Sequence, residues 1–98
     1  MKKLHPDPNT ETLSARITGR VQGVGFRAAT VRQAHLLRVR GWVRNADDGA
    51  VEVMIQGPHE QVDRMLSWLH VGPPGARVDE VANQQEFTDT FYDRFEQR

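Results

Sequence analysis

Two hydrophobic periods alternate along this 98-residue chain, and their order limits its fold more than any other feature. Leu13 to Thr18 alternates, with Leu13, Ala15 and Ile17 on one side, which is the period of a half-buried strand. Phe26 to Leu37 changes to a helical period, Phe26, Thr30, Ala34 and Leu37 forming the stripe and Thr30 being its weakest core position. Val39, Gly41, Val43 and Asn45 then share one face of a second strand, with Trp42 on the other. Ala46-Asp47-Asp48-Gly49 is turn chemistry between two alternating runs, which predicts a hairpin into a third strand, Ala50 to Gln56, with Val51, Val53 and Ile55 inward. Gly57-Pro58 opens a second helix carrying the stripe Val62, Met65, Leu66 and Leu69, and Gly72-Pro73-Pro74 stops it. Arg77 to Ala82 is expected as a fourth strand and a short terminal strand around Phe95, while Asn83 to Asp93 has no readable period.

The order strand-helix-strand-strand-helix-strand predicts an α+β, ferredoxin-like split β-α-β fold. It is a βαββαβ unit plus a short C-terminal strand, in a mainly antiparallel sheet with two helices on one face. A chain of this length has room for one core, so a single domain is expected over residues 13–98. Met1 to Thr12, with two prolines and little that could pack, is expected to be a flexible tail, and its His5 has no second ligand nearby. In this topology the first two strands run the same way, so the ends of both lie at one edge of the sheet. Asn45 and the segment after Thr18 are thereby expected to meet.

That segment, Gly19-Arg20-Val21-Gln22-Gly23-Val24-Gly25-Phe26-Arg27, places three glycines and two arginines where a strand turns into a helix. The first amides of a helix have no partner within it, and no Ser, Thr, Asp or Asn precedes Phe26 to cap them. Gly23 and Gly25 can take positive φ, so successive N–H groups can converge on one point that a bulky anion can approach. Phosphate is the natural guest, and Arg27 in the first helical turn could offer two parallel hydrogen bonds to its oxygens. The loop is neither a Walker A box nor a dinucleotide fingerprint, since the Lys-Ser/Thr pair and the Gly-x-Gly-x-x-Gly spacing are both missing. The residues by themselves therefore indicate an anion site.

Composition narrows the classes. There is no cysteine, which excludes disulfides and thiolate chemistry and permits a reducing compartment. No apolar stretch approaches a membrane span or a signal peptide, so a cytoplasmic protein with no membrane partner is expected. Formal net charge is zero, yet seven arginines and no acid lie between Arg16 and Arg44, against eleven acids and four arginines from Asn45 onward. A positive field around the anion loop would attract a negatively charged substrate. Arg32, Arg38 and Arg40 are expected on solvated faces, and Arg20 could add potential near the loop. His35, His59 and His70 have no short ligand spacing, so no metal is expected, and Asp47 with Asp48 is explained by the turn.

The nine residues Gly19 to Arg27, followed by Gly41-Trp42-Val43-Arg44-Asn45, Asp48-Gly49 and Val51-Glu52-Val53, resemble the acylphosphatase family in order and spacing. Gly72 to Val81 and Phe95-Glu96-Gln97-Arg98 resemble its later segments, so the likeness runs from Leu13 to Arg98. It implies hydrolysis of acyl phosphates, small-molecule substrates, to a carboxylate and phosphate, without cofactor or metal. It also implies Arg27 and Asn45 as the catalytic pair, with Val21, Gln22, Gly23, Val24, Gly25 and Arg27 holding the phosphate. Gln97 departs from the family, which often has an apolar residue there, and the departure bears on packing of the terminal strand. A monomer is expected. The alternative is an anion- or RNA-binding module on the same sheet, but no RNA-recognition motif is present and, with Phe26 assigned to the helical stripe, only Trp42 among the basic residues is left as a platform, so no nucleic-acid partner is expected.

Overall fold

The computed structural model describes residues 9–98. Its elements run β1 (Thr10–Arg20), α1 (Phe26–Leu37), β2 (Arg40–Asn45), β3 (Val51–Pro58), α2 (His59–Leu69), β4 (Arg77–Glu86) and β5 (Phe95–Gln97). The strands form one sheet in the order β4-β1-β3-β2-β5. β3 is antiparallel to both β1 and β2, so these two point the same way and end at one edge, as expected. β5 adds to β2 in parallel, which makes the sheet mixed at one margin only. The α+β ferredoxin-like architecture expected from the periods is the one observed.

Ladder partners, rather than local pattern, set the strand ends. β1 begins at Thr10, three residues before the expected Leu13, because Thr10 faces Pro58 and Thr12 faces both Gln56 and Glu86. Residues 10–12 thus belong to the sheet rather than to a tail, while the rest of the expected tail up to residue 8, with His5, lies outside the described residues. The same pairing carries β3 through Pro58, which the sequence assigned to the start of α2. β4 runs to Glu86, past the expected Ala82, although most of its residues are exposed. A strand whose two faces are both largely polar has no alternation to read.

The core lies between one face of the sheet and the two helices. Ala15, Ile17, Val43, Val51, Val53, Ile55 and Phe95 from the strands meet Phe26, Ala34, Val62, Met65 and Leu69 from the helices. Thr30 is fully buried in this layer, its hydroxyl donating to the Phe26 carbonyl at 2.7 Å, so a polar side chain enters the core without an unpaired group. Leu37 and Leu66 complete the helical stripes as half-buried neighbours. Phe26 also packs against Trp68 of α2 with ring centroids 5.8 Å apart, which anchors the first residue of α1. Gln56, likewise fully buried, donates from Nε2 to the Thr12 hydroxyl (3.0 Å) and the Thr90 carbonyl (2.8 Å) and accepts from the Tyr92 amide (2.9 Å). It fastens the otherwise exposed segment ahead of β5 to the sheet.

Candidate active site

The site is built where β1 and β2 end. Just before the loop, β1 changes register against β4 between Thr18 and Gly19, and a Cβ on Gly19 would collide with the Arg77 carbonyl. Gly19 thus lets β4 approach closely, and the strand bends into the loop. Gly23 and Gly25 have φ of 76° and 79°, the left-handed region where a side chain is strained. A Cβ on either would meet nothing within 4 Å, so these glycines serve backbone conformation and not packing, and open space lies before them.

Gly25 is the N-cap of α1, without a side-chain cap, and the first turn has no acidic residue. Among the described residues, no amide from Gln22 to Gly25 donates to a backbone carbonyl in a short, well-aligned bond. The unspent amides of the loop and the helix start therefore form a region of positive potential.

Val21, Gln22, Gly23, Gly25 and Arg27 line a pocket of about 150 Å³ together with Asn45, although Arg27 and Asn45 lie 18 positions apart. Val24 does not line it; this half-buried side chain packs against the core. Phe26, Ala28 and Gln97 complete the lining. The first two are neighbours of expected residues, whereas Gln97 belongs to the site through β5, a signal that the sequence offered only as a departure in packing. The terminal strand forms with Phe95 buried and Gln97 exposed.

Three hydrogen bonds join the parts of the pocket. The Gln22 side chain donates from Nε2 to the carbonyls of Ala46 and Ala50, both at 2.9 Å, so the loop is tied to the hairpin that begins at Asn45. Arg27 donates from Nη1 to the Arg98 main-chain oxygen at 3.1 Å, which holds its guanidinium beside the end of β5. Asp48 shapes the hairpin by accepting from the Ala50 amide (3.2 Å) and pairing with Arg16. Those two contacts hold its carboxyl below the usual carboxylate range, the Ala50 hydrogen bond being the larger cause.

The arginine-rich segment is less uniform than its charge suggests. Arg16 and Arg44 pair with Glu52 on the open face of the sheet. Arg32 and Arg38 are exposed, but Arg40 is half-buried with its guanidinium over the Phe91 ring at 4.7 Å, which corrects the expectation of a solvated face. Packing against an aromatic from the unreadable segment is what removes it from water. Among the described residues Arg27 has no Asp or Glu partner, and with only Nη1 engaged, on the Arg98 oxygen, it keeps Nε and Nη2 donors for an anion. A wider hollow of about 440 Å³ lies on the open sheet face, but its Arg16, Arg44 and Glu52 are engaged with one another. The smaller pocket is the one with available donors.

A family model described as acylphosphatase matches residues 13–97. An acylphosphatase of Paraburkholderia xenovorans is 60% identical over 91 residues, covering 93% of this chain and 94% of the relative. One of Burkholderia ambifaria is 54% identical over 98 residues, the whole of both. The solved structure of an acylphosphatase from Coxiella burnetii superposes with a TM-score of 0.88 at 32% identity, covering 92% of this chain and 94% of that one. These likenesses do not favour the anion- or RNA-binding alternative. With sequence and fold in agreement, the chain belongs to the acylphosphatase family, enzymes that hydrolyse acyl phosphates.

Proposed function

We propose that the pocket between the β1–α1 loop and the end of β2 hydrolyses acyl phosphates, with Arg27 and Asn45 as its catalytic pair. The observation that carries this assignment is the convergence of unspent loop amides, an arginine without an Asp or Glu partner and a carboxamide on one small pocket. An acyl phosphate is a mixed anhydride with a good leaving group, so strong acid catalysis is unnecessary. The task is to hold the phosphoryl group, stabilise charge on its equatorial oxygens and place water in line.

The amides of Val21, Gln22, Gly23, Val24 and Gly25 and the Arg27 guanidinium do the first two, already oriented before reaction. The Asn45 carboxamide oxygen accepts a hydrogen bond from the attacking water without bringing a second negative charge near the phosphate. Water forms the new P–O bond as the bond from phosphorus to the acyl oxygen breaks. The electron pair departs on the carboxylate, and the water's proton passes to a phosphate oxygen. No step in this scheme calls on a metal or a cofactor.

The same reading takes the protein as a monomer acting on small diffusible anions in the cytoplasm, a reducing compartment that a chain without cysteine is compatible with. Against a nucleic-acid surface, Phe26 is buried, and Trp42, the other aromatic of the arginine-rich segment, has the guanidiniums of Arg44 and Arg98 over its ring at 4.7 and 5.1 Å. It therefore offers no free stacking platform.

The test is hydrolysis of benzoyl phosphate without added metal. Arg27→Ala and Asn45→Ala should each lower turnover by about a hundredfold or more, the cost of removing one preorganised transition-state donor or positioning group. Arg27→Lys should also fail, because an ammonium cannot make the two-pronged contact. Wild-type turnover no faster than buffer would refute the proposal.

A further inference from the structure

We infer that Gln97 contacts the substrate and stabilises the carboxylate half as it departs, an inference that rests on the hydrolytic reading above. Four polar side chains line the pocket: Gln22, Arg27, Asn45 and Gln97. The Gln22 amide nitrogen is spent on two hairpin carbonyls. Arg27 faces the phosphate, and Asn45 faces the water. Gln97 remains, exposed and without a side-chain hydrogen bond to any described residue.

Its main chain is nevertheless held firmly. Phe95 is buried in the core two residues before it, β5 pairs Val43 with Gln97, and the Arg98 amide donates to the Val43 carbonyl at 2.8 Å. Because Val43 and Gln97 are register partners, they point to the same face, the one covered by α1. Asn45 follows Val43 by two residues on the neighbouring strand. With the ordinary strand spacing and rise, the two carboxamides therefore spring from points roughly 8 Å apart.

An in-line displacement has two ends, the attacking and the leaving oxygen, and both carry partial charge in a loose transition state. Asn45 serves one end by accepting from water. A carboxamide also has two N–H donors, and Gln97 can direct one at the acyl oxygen that becomes carboxylate. At about 150 Å³ the pocket is well below the size of a cleft that encloses a whole small-molecule ligand. The acyl half must then project past the rim, where Gln97 is exposed while Val21 and Phe26 form the buried floor. The contact strengthens as negative charge develops, so it acts on the chemical step more than on binding.

The experiment compares wild type, Gln97→Leu and Gln97→Glu on ring-substituted benzoyl phosphates that span a range of leaving-group acidity, with inhibition by inorganic phosphate measured alongside. Gln97→Leu should lower kcat by about five- to tenfold for the poorest leaving group, the size of one neutral hydrogen bond, and by less for the best. Its inhibition constant for phosphate and its melting temperature should stay near those of wild type, since the residue is exposed and faces the acyl half. Gln97→Glu should lose more, because a carboxylate would repel the departing one. A loss that is uniform across the series, an unchanged kcat for Gln97→Leu, or a parallel weakening of phosphate inhibition would overturn the inference. A wild-type protein inert toward the whole series would instead refute the hydrolytic reading itself, and that is visible before any variant is measured.

Discussion

Gln22 divides its work between its two halves: its amide belongs to the loop, and its side chain is a strut to the carbonyls of Ala46 and Ala50. The position of Asn45 relative to the loop depends on that strut, because Ala46 is its next neighbour. Replacing Gln22 by Leu leaves two carbonyls without this donor, one of them on the buried Ala50, and should destabilise the fold by about 1–3 kcal/mol. Turnover should fall more than phosphate affinity, since the hairpin that carries Asn45 is released while Arg27 and the loop glycines are retained. Urea unfolding, kcat and the phosphate inhibition constant together check this; a variant of wild-type stability and turnover would show the strut to be dispensable. Gln22→Glu should not rescue, because a carboxylate cannot donate to a carbonyl. At this scale the loop residues and Arg27 were legible from type and order, since positive-φ glycines and a missing cap are local properties. The second role of Gln22 and the place of Gln97 were not, because each depends on a partner far along the chain.

Among the elements, α1 was readable to the residue and α2 by its buried face though not by its ends, since an amphipathic period records which face is buried. The margins of the sheet were not. β4 is an edge strand with mostly exposed residues, and its extension to Glu86 is decided by pairing with β1. β5 is three residues long, too short for any period, and is held by the buried Phe95 and by the Gln56 clamp on the segment before it. Gln56→Leu should therefore destabilise by about 1–3 kcal/mol, since the Tyr92 amide and the Thr90 carbonyl lose their partner. Hydrogen exchange at the Tyr92 amide should accelerate beyond the change in global stability, because the bond it makes to Gln56 is local. Exchange that follows global stability alone would show that the segment is held by other contacts. Loosening this segment also frees Gln97 and the Arg98 oxygen that holds Arg27, so some loss of turnover should accompany it.

For the molecule as a whole, one core holds both halves of the site, so binding and folding are linked. A ligand that binds only the native state stabilises it by mass action. Inorganic phosphate at ten times its dissociation constant should add about 1.4 kcal/mol and raise the melting temperature by roughly 6–11 °C for a domain of this size. Arg27→Ala should abolish most of that shift, and added salt should weaken it through screening. A shift equal in wild type and variant would place phosphate elsewhere. The ion pairs of Arg16 and Arg44 with acids of the second half show how a chain of segregated charge closes on itself and leaves Arg27 without an Asp or Glu partner among the described residues.

From the sequence alone came the element order, the two helical faces, the conformation of the glycine loop and the parallel sense of β1 and β2, because each depends on residues close together in the chain or on a period repeated within one element. Only the tertiary structure decided the reach of β1 to Thr10 and of β4 to Glu86, the partial burial of Arg40 against Phe91, and the meeting of Gln97 with Arg27 and Asn45. Those outcomes are pairings between distant, largely polar segments. Their free energy is realised only after the core has brought them together, and no local hydrophobic pattern announces it.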